Sequence, residues 1–195
     1  MEKVQKYQYY FLVCQDSIFP DEPTLHIMLE EMERYPRIGI LSPCSLEWGE
    51  ASLVPDKEVR LFWFINHIAW LFRGDFIDAV KNIEEPSHLN YLYDGTNFRG
   101  YDLDVEVVAK AYANGYGAGI TKRALFREDA DLTDRMASTM KTDPQRLNRP
   151  AMFDEGKKWL RSKYGFNSRW NMVTYVKAFY NQFFEHYPDY QRLRI

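Results

Sequence analysis

Three carboxylates stand where chemistry is easiest to build. Asp16 closes an apolar run, "YYFLV" (Tyr9–Val13), and Asp102 and Asp104 open a helical pattern in "NFRGYDLDVEVVAKAYANGYGAGI" (Asn97–Ile120). Ligand sites of α/β proteins gather at strand tips. An acid there, facing acids at a helix start across a cleft, has the parts to hold a divalent cation and to take a proton from a hydroxyl. The alternative is helix capping. Acids in a first turn complement the helix dipole and accept from free backbone donors, a role that needs only one of the pair. No G-x-S-x-G, P-loop, H-E-x-x-H or dinucleotide G-x-G-x-x-G occurs, and "GYGAG" (Gly115–Gly119) follows a helix, the wrong order for a phosphate cradle. The four histidines, His26, His67, His88 and His186, are scattered and read as structural or exposed.

The elements that must position these acids follow from periodicity. Met1 to Gln8 reads as the end of a polar helix and Tyr9–Val13 as a strand buried on both faces. Asp21 is a candidate cap and Pro23 suits a first helical turn. Leu25, Met28, Leu29 and Met32 repeat at helical spacing until Tyr35-Pro36 ends the helix. Ile38–Leu41 is a second buried strand, so the start of the chain predicts a crossover between parallel neighbours. After a loop, Val59–Phe72 is strand-like and aromatic, Asp75–Asn82 a short helix, and Glu84–Gly100 a long irregular loop. A helix over Asp102–Asn114 stops at Asn114-Gly115, and Tyr116–Phe126 follows as a strand. Arg127–Pro150 is weakly patterned and reads as a mobile connection. Helices over Phe153–Tyr164 and Asn171–Tyr187 complete the chain, the second carrying a stripe of Met172, Val176, Phe179, Phe183 and Tyr187.

Composition narrows the class. With 46% hydrophobic and 27% charged residues over 195 positions, the chain is globular and long enough to bury a core. A net charge of −3 without a basic stripe argues against nucleic acid as a partner. Aromatic content of 16% suits sugar stacking or a partner interface, although core filling is the commoner use. Cys14 and Cys44 lack metal spacing and read as reduced thiols of a cytoplasmic protein, a disulfide between them being the alternative. No leader-like apolar segment follows Met1, and the longest apolar run, Leu61–Phe72, is too short to span a bilayer.

Four segments in order carry a family resemblance. "VCQDS" and "RIGILSP", then "AWLFRGDFIDAV", then "NFRGYDLDVEVVAKAYANGYG", with "WLRSKYG" beyond, resemble the C-terminal two-thirds of a GT-A-fold glycosyltransferase of the inverting family 2 type. The resemblance implies an α/β fold with a mostly parallel sheet flanked by helices. Residues 1–126 would form the GT-A-like domain, and 127–195 a flexible connection and C-terminal helical extension. It implies that Asp16 binds Mn²⁺ or Mg²⁺ bridging a nucleotide diphosphate, that Asp102 is the base deprotonating the acceptor hydroxyl, and that Asp104 orients that region. Trp70 and Arg73 would line the acceptor and donor wall. Tyr101 stands where the family has a Glu, Cys14 where it has the first Asn or Asp of the metal motif, and Glu128 would serve as a substitute oxygen ligand.

The family's nucleotide-binding half would precede Met1. The chain is therefore expected to be a fragment, or to be completed by a partner chain or a second copy along a sheet edge, or to have ceased transferring sugar. The function implied is metal-assisted transfer from a nucleotide-sugar donor to a glycan or other hydroxyl acceptor. The alternatives are an inactive module of the same fold that binds glycan or a protein partner, and an interaction domain whose acids only cap helices.

Overall fold

The computed structural model describes residues 7–20, 22–83, 90–129 and 131–195. The polar helix end expected at the start of the chain falls mostly outside these residues, as do the Asp21 cap and His88. The chain is an α/β protein with a six-stranded mixed sheet, order β1-β5-β3-β6-β2, with β4 also pairing β6. Its strands are β1 (Tyr9–Val13), β2 (Ser17–Ile18), β3 (Ile38–Ser45), β4 (Val59–Leu61), β5 (Ala69–Arg73) and β6 (Gly117–Glu128). The helices are α1 (Thr24–Arg34), α2 (Gly74–Val80), α3 (Leu103–Ala113), α4 (Leu132–Met140), α5 (Gln145–Tyr164) and α6 (Arg169–His186).

The mostly parallel sheet is corrected to a mixed one. Among the described strands only β3 and β6 pair in parallel; β5 is antiparallel to both β1 and β3, and β2 and β4 are antiparallel to β6. The β1–α1–β3 crossover does join strands of one direction, but β5 lies between them. β1 is consequently an edge strand with Tyr10, Leu12 and Val13 exposed, where a doubly buried strand was expected. The aromatic run 59–72 breaks into β4 and β5 because its halves serve different neighbours. Asn66, in the break, accepts the Trp70 indole N–H at 2.7 Å. Arg127–Pro150 holds the end of β6, all of α4 and the start of α5 rather than a bare connection.

β3 is buried along its whole length, and Met28 and Met32 of α1 pack beside Ile38, Ile40 and Leu41 in the core. Each such fully buried aliphatic side chain contributes about 1.5–3 kcal/mol. α6 packs on α3, with the Tyr180 and Phe183 rings edge-on to Tyr112, and the Tyr180 hydroxyl donates to Leu61 O at 3.3 Å. One hydrophobic core thus runs from the sheet into the C-terminal helices, across the 126/127 boundary drawn from the sequence. Among the described residues no helix is long and apolar enough to cross a membrane. Cys14 and Cys44 are both free thiols.

Candidate functional site

Asp16 sits in the turn joining β1 to β2. That turn is pinned where β2 pairs with the end of β6: Ser17 lies opposite Glu128, and Asp129 N–H donates to Asp16 O at 2.8 Å. The pairing carries Asp16 and Glu128 to one end of the sheet, where both line a cleft of about 760 Å³. Asp16 Oδ1 and Glu128 Oε1 are buried and find no hydrogen-bond partner among the described residues. Such orphaned carboxylate oxygens are costly unless a ligand satisfies them. Burial, then the charges of Asp16 and Glu47, hold the Glu128 carboxyl above the usual range. Burial, with Asp16 and Glu128 adding to it, also pushes the Cys14 thiol up.

The second half of the site is built by the turn before α3. Asn97 is buried; its amide donates to Tyr101 O at 2.7 Å and its carbonyl accepts from Gly100 N–H at 3.2 Å. Gly100 (φ 76°) and Asp102 (φ 75°) both adopt the left-handed conformation, which Asp tolerates better than most side chains. Asp102 is the residue before α3, yet its side chain makes no capping bond. Its carboxylate, 2% exposed, accepts from Arg169 Nη1 at 2.6 Å, while Arg169 Nη2 donates to Asp104 at 2.6 Å. The same guanidinium lies 4.6 Å from the Phe64 ring and 5.0 Å from the Tyr101 ring, close enough for cation–π attraction. Burial raises the Asp102 pKa even against the opposing pull of Arg169.

The C-terminal helices form the far wall. α5 contributes Gln145, Asn148, Arg149 and Phe153, and α6 begins with Arg169 and Trp170, the latter 68% exposed at the rim. Arg99–Glu155 and Asp94–Lys163 ion pairs fasten the loop before α3 to α5. Contact is closest at Gly156, where an added Cβ would lie 2.8 Å from both the Tyr101 carbonyl oxygen and its ring. Gly156→Ala would gain about 1 kcal/mol of helix propensity. A backbone atom cannot step aside cheaply, so a net loss of about 1–3 kcal/mol from overpacking is expected. Urea unfolding reads this, and a stabilised variant would mean that α5 rides loosely on Tyr101.

The structure therefore brings Asp16, Glu128 and Tyr101 to one cleft, with Asp102 and Asp104 behind Arg169 in its wall. It does not bring Trp70 or Arg73 there. Trp70 is fully buried in the core. Arg73 is spent on the carbonyls of Ile38, Met32 and Tyr35 and on the Tyr9 hydroxyl. Sequence reasoning missed Arg169. A cation in the first turn of a helix opposes the macrodipole, so its placement just after the Ser168 cap is a signal of another task.

Among the described residues no group of three or more His, Cys, Asp or Glu is arranged to hold a metal ion. Two carboxylates with free oxygens nevertheless suit Mg²⁺ or Mn²⁺ of the kind shared with substrate phosphates, which takes one or two carboxylates from the protein. No family model, curated protein or solved structure matches the chain.

Proposed function

We propose that the cleft binds a nucleotide-activated sugar and transfers the sugar to a hydroxyl acceptor. The carrying observation is the pair of buried, unpartnered oxygens of Asp16 and Glu128 on one wall of an aromatic and amide-lined cleft. Asp16 and Glu128 would hold the cation, which when bound neutralises the leaving diphosphate as a Lewis acid. Arg149 supplies positive charge in the cleft, where Arg169 is already engaged by Asp102 and Asp104, and the Tyr101 and Trp170 rings offer apolar faces for a sugar. Asp102 would take the acceptor proton once Arg169, which covers it in the cleft wall, swings aside; its raised pKa makes it a stronger base than an exposed aspartate. A second reading, a glycan-binding module without transfer, is favoured by one feature: Arg169 occupies both Asp102 and Asp104.

Thermal unfolding against a panel of nucleotide sugars, with and without Mn²⁺, separates the two. At 100 times its dissociation constant a ligand stabilises the fold by about 2.7 kcal/mol, or roughly 5–10 °C. Transfer predicts a shift needing both metal and nucleotide, abolished by Asp16→Asn or Glu128→Gln. A shift with free glycan alone supports the binding module, and no shift with any nucleotide sugar and metal defeats the transferase reading. Without ligand, Glu128→Gln is expected to raise the melting temperature at neutral pH. The folded state holds the Glu128 proton more tightly than the unfolded one, so ionisation destabilises the fold above that raised pKa and the cost disappears below the ordinary glutamate range.

A further inference from the structure

We infer that β1 is a self-association edge, pairing antiparallel with β1 of a second copy to continue the sheet across a two-fold axis. β1 ends the strand order, and no described strand pairs with its outer side. The hydrogen bonds at its two ends fix which backbone groups face outward. Gln8 O accepts from Gly74 N–H at 2.8 Å and Cys14 N–H donates to Ile68 O at 2.7 Å, in register with Tyr10 opposite Phe72 and Leu12 opposite Trp70. Antiparallel ladders alternate, so the even-numbered residues bond inward to β5. The N–H and C=O groups of Tyr9, Phe11 and Val13 point away from the sheet.

That parity is self-complementary. A two-fold axis at Phe11 sets Phe11 opposite itself and Tyr9 opposite Val13 of the second copy as hydrogen-bonded pairs. Tyr10 then faces the second copy's Leu12 on the other surface, an aromatic–aliphatic cross-strand pair. The side chains agree. The stretch "YQYYFLVC" (Tyr7–Cys14) has no charged residue and no proline, the devices by which edge strands avoid pairing. It therefore offers nothing to a charged partner and repels nothing in its own copy. Tyr10, Leu12 and Val13 are 37%, 42% and 41% exposed. Beside them lies an apolar groove of about 700 Å³, walled by Tyr7 and Tyr91 and floored by Phe72 and Ile77, which extends the contact beyond the backbone. A single strand pair is smaller than the about 1,200–2,000 Å² of standard interfaces, so a weak, concentration-dependent dimer is expected.

The test uses no ligand: light scattering of the full chain over a wide concentration series, with amide hydrogen exchange at both ends of the series. The expected result is a dimer at high concentration in which the amides of Tyr9, Phe11 and Val13 slow, while those of Tyr10, Leu12 and Cys14 are protected throughout. Leu12→Lys puts a charge opposite Tyr10 and should leave a folded monomer. Val13→Pro removes only an outward N–H, a position at which edge strands accept proline, and should do the same. Two independent exposed positions guard against a variant that fails to fold. A chain monomeric at every concentration overturns the inference. So does a dimer that survives both variants with the odd-numbered amides still exchanging fast, which would place the contact elsewhere.

Discussion

Replacing Arg169 by alanine is expected to destabilise the chain by about 3–5 kcal/mol, the largest effect of any polar substitution proposed for it. The figure is that for removing one partner of a buried ion pair and leaving the other charge uncompensated. Here two carboxylates lose their counterion at once. Asp102 is 2% and Asp104 11% exposed, so water entering from the cleft would hydrate them less fully than in the unfolded chain. The Phe64 and Tyr101 rings also lose the cation over their faces. The deficit has a pH signature. Without Arg169, whose charge and hydrogen bond pull against burial at Asp102, that acid should titrate higher than before, so the variant should recover stability relative to wild type as pH falls through its new pKa. Denaturant unfolding at two pH values measures both. If the cost stems from stranded charge, Arg169→Met combined with Asp102→Asn and Asp104→Asn should restore much of it. A cost below about 1 kcal/mol for the alanine variant would rank the bridge with exposed surface pairs and remove its structural role.

The parts of the fold legible in the sequence are those set by local periodicity. Met28 and Met32 mark the buried stripe of α1, and Ile38–Leu41 lies wholly in the core. Strand direction and neighbours were not legible, because they depend on contacts far apart in the chain. Tyr9–Val13 is as apolar as a central strand, but only the insertion of β5 between β1 and β3 decides that it is an edge. At the site, Asp16, Glu128 and Tyr101 reach one cleft because strand ends and the turn before α3 converge there. Trp70 and Arg73 do not, for a physical reason that residue type hides. An indole satisfies its single donor on a backbone carbonyl and disappears into a core, and an arginine can satisfy its fork on the carbonyls of a helix end and a strand start. From sequence the C-terminal helices look like an extension, because Arg127–Pro150 has little pattern. In the folded chain they supply the guanidinium that the acid pair requires.

Asp102→Asn tests the chemistry itself. If Asp102 is the base of a transfer reaction, the variant should lose about 10²–10⁴-fold in transfer rate and keep metal-dependent donor binding. Asparagine is suited to this position, being one of the few side chains that accepts φ 75°, so the turn before α3 should survive. Arg169 would keep Asp104, and the expected stability loss is about 1–3 kcal/mol, the range for weakening a buried hydrogen bond to a charged group. The pH profile distinguishes a base from a structural acid. Burial holds the Asp102 carboxyl above the usual aspartate range, so wild-type transfer should fall as pH drops through that raised value, and the residual activity of the variant should lack the limb. The Arg169 contact bears on the same measurement. With Nη1 at 2.6 Å from Oδ1, one carboxylate oxygen is already occupied, and the proton must be taken through the remaining lone pairs. An Asp102→Asn variant that transfers sugar at the wild-type rate would place the base elsewhere. A wild type that binds donor and metal but transfers to no acceptor would mean that Arg169 holds the acid in a resting state, and the cleft would then be a binding site alone.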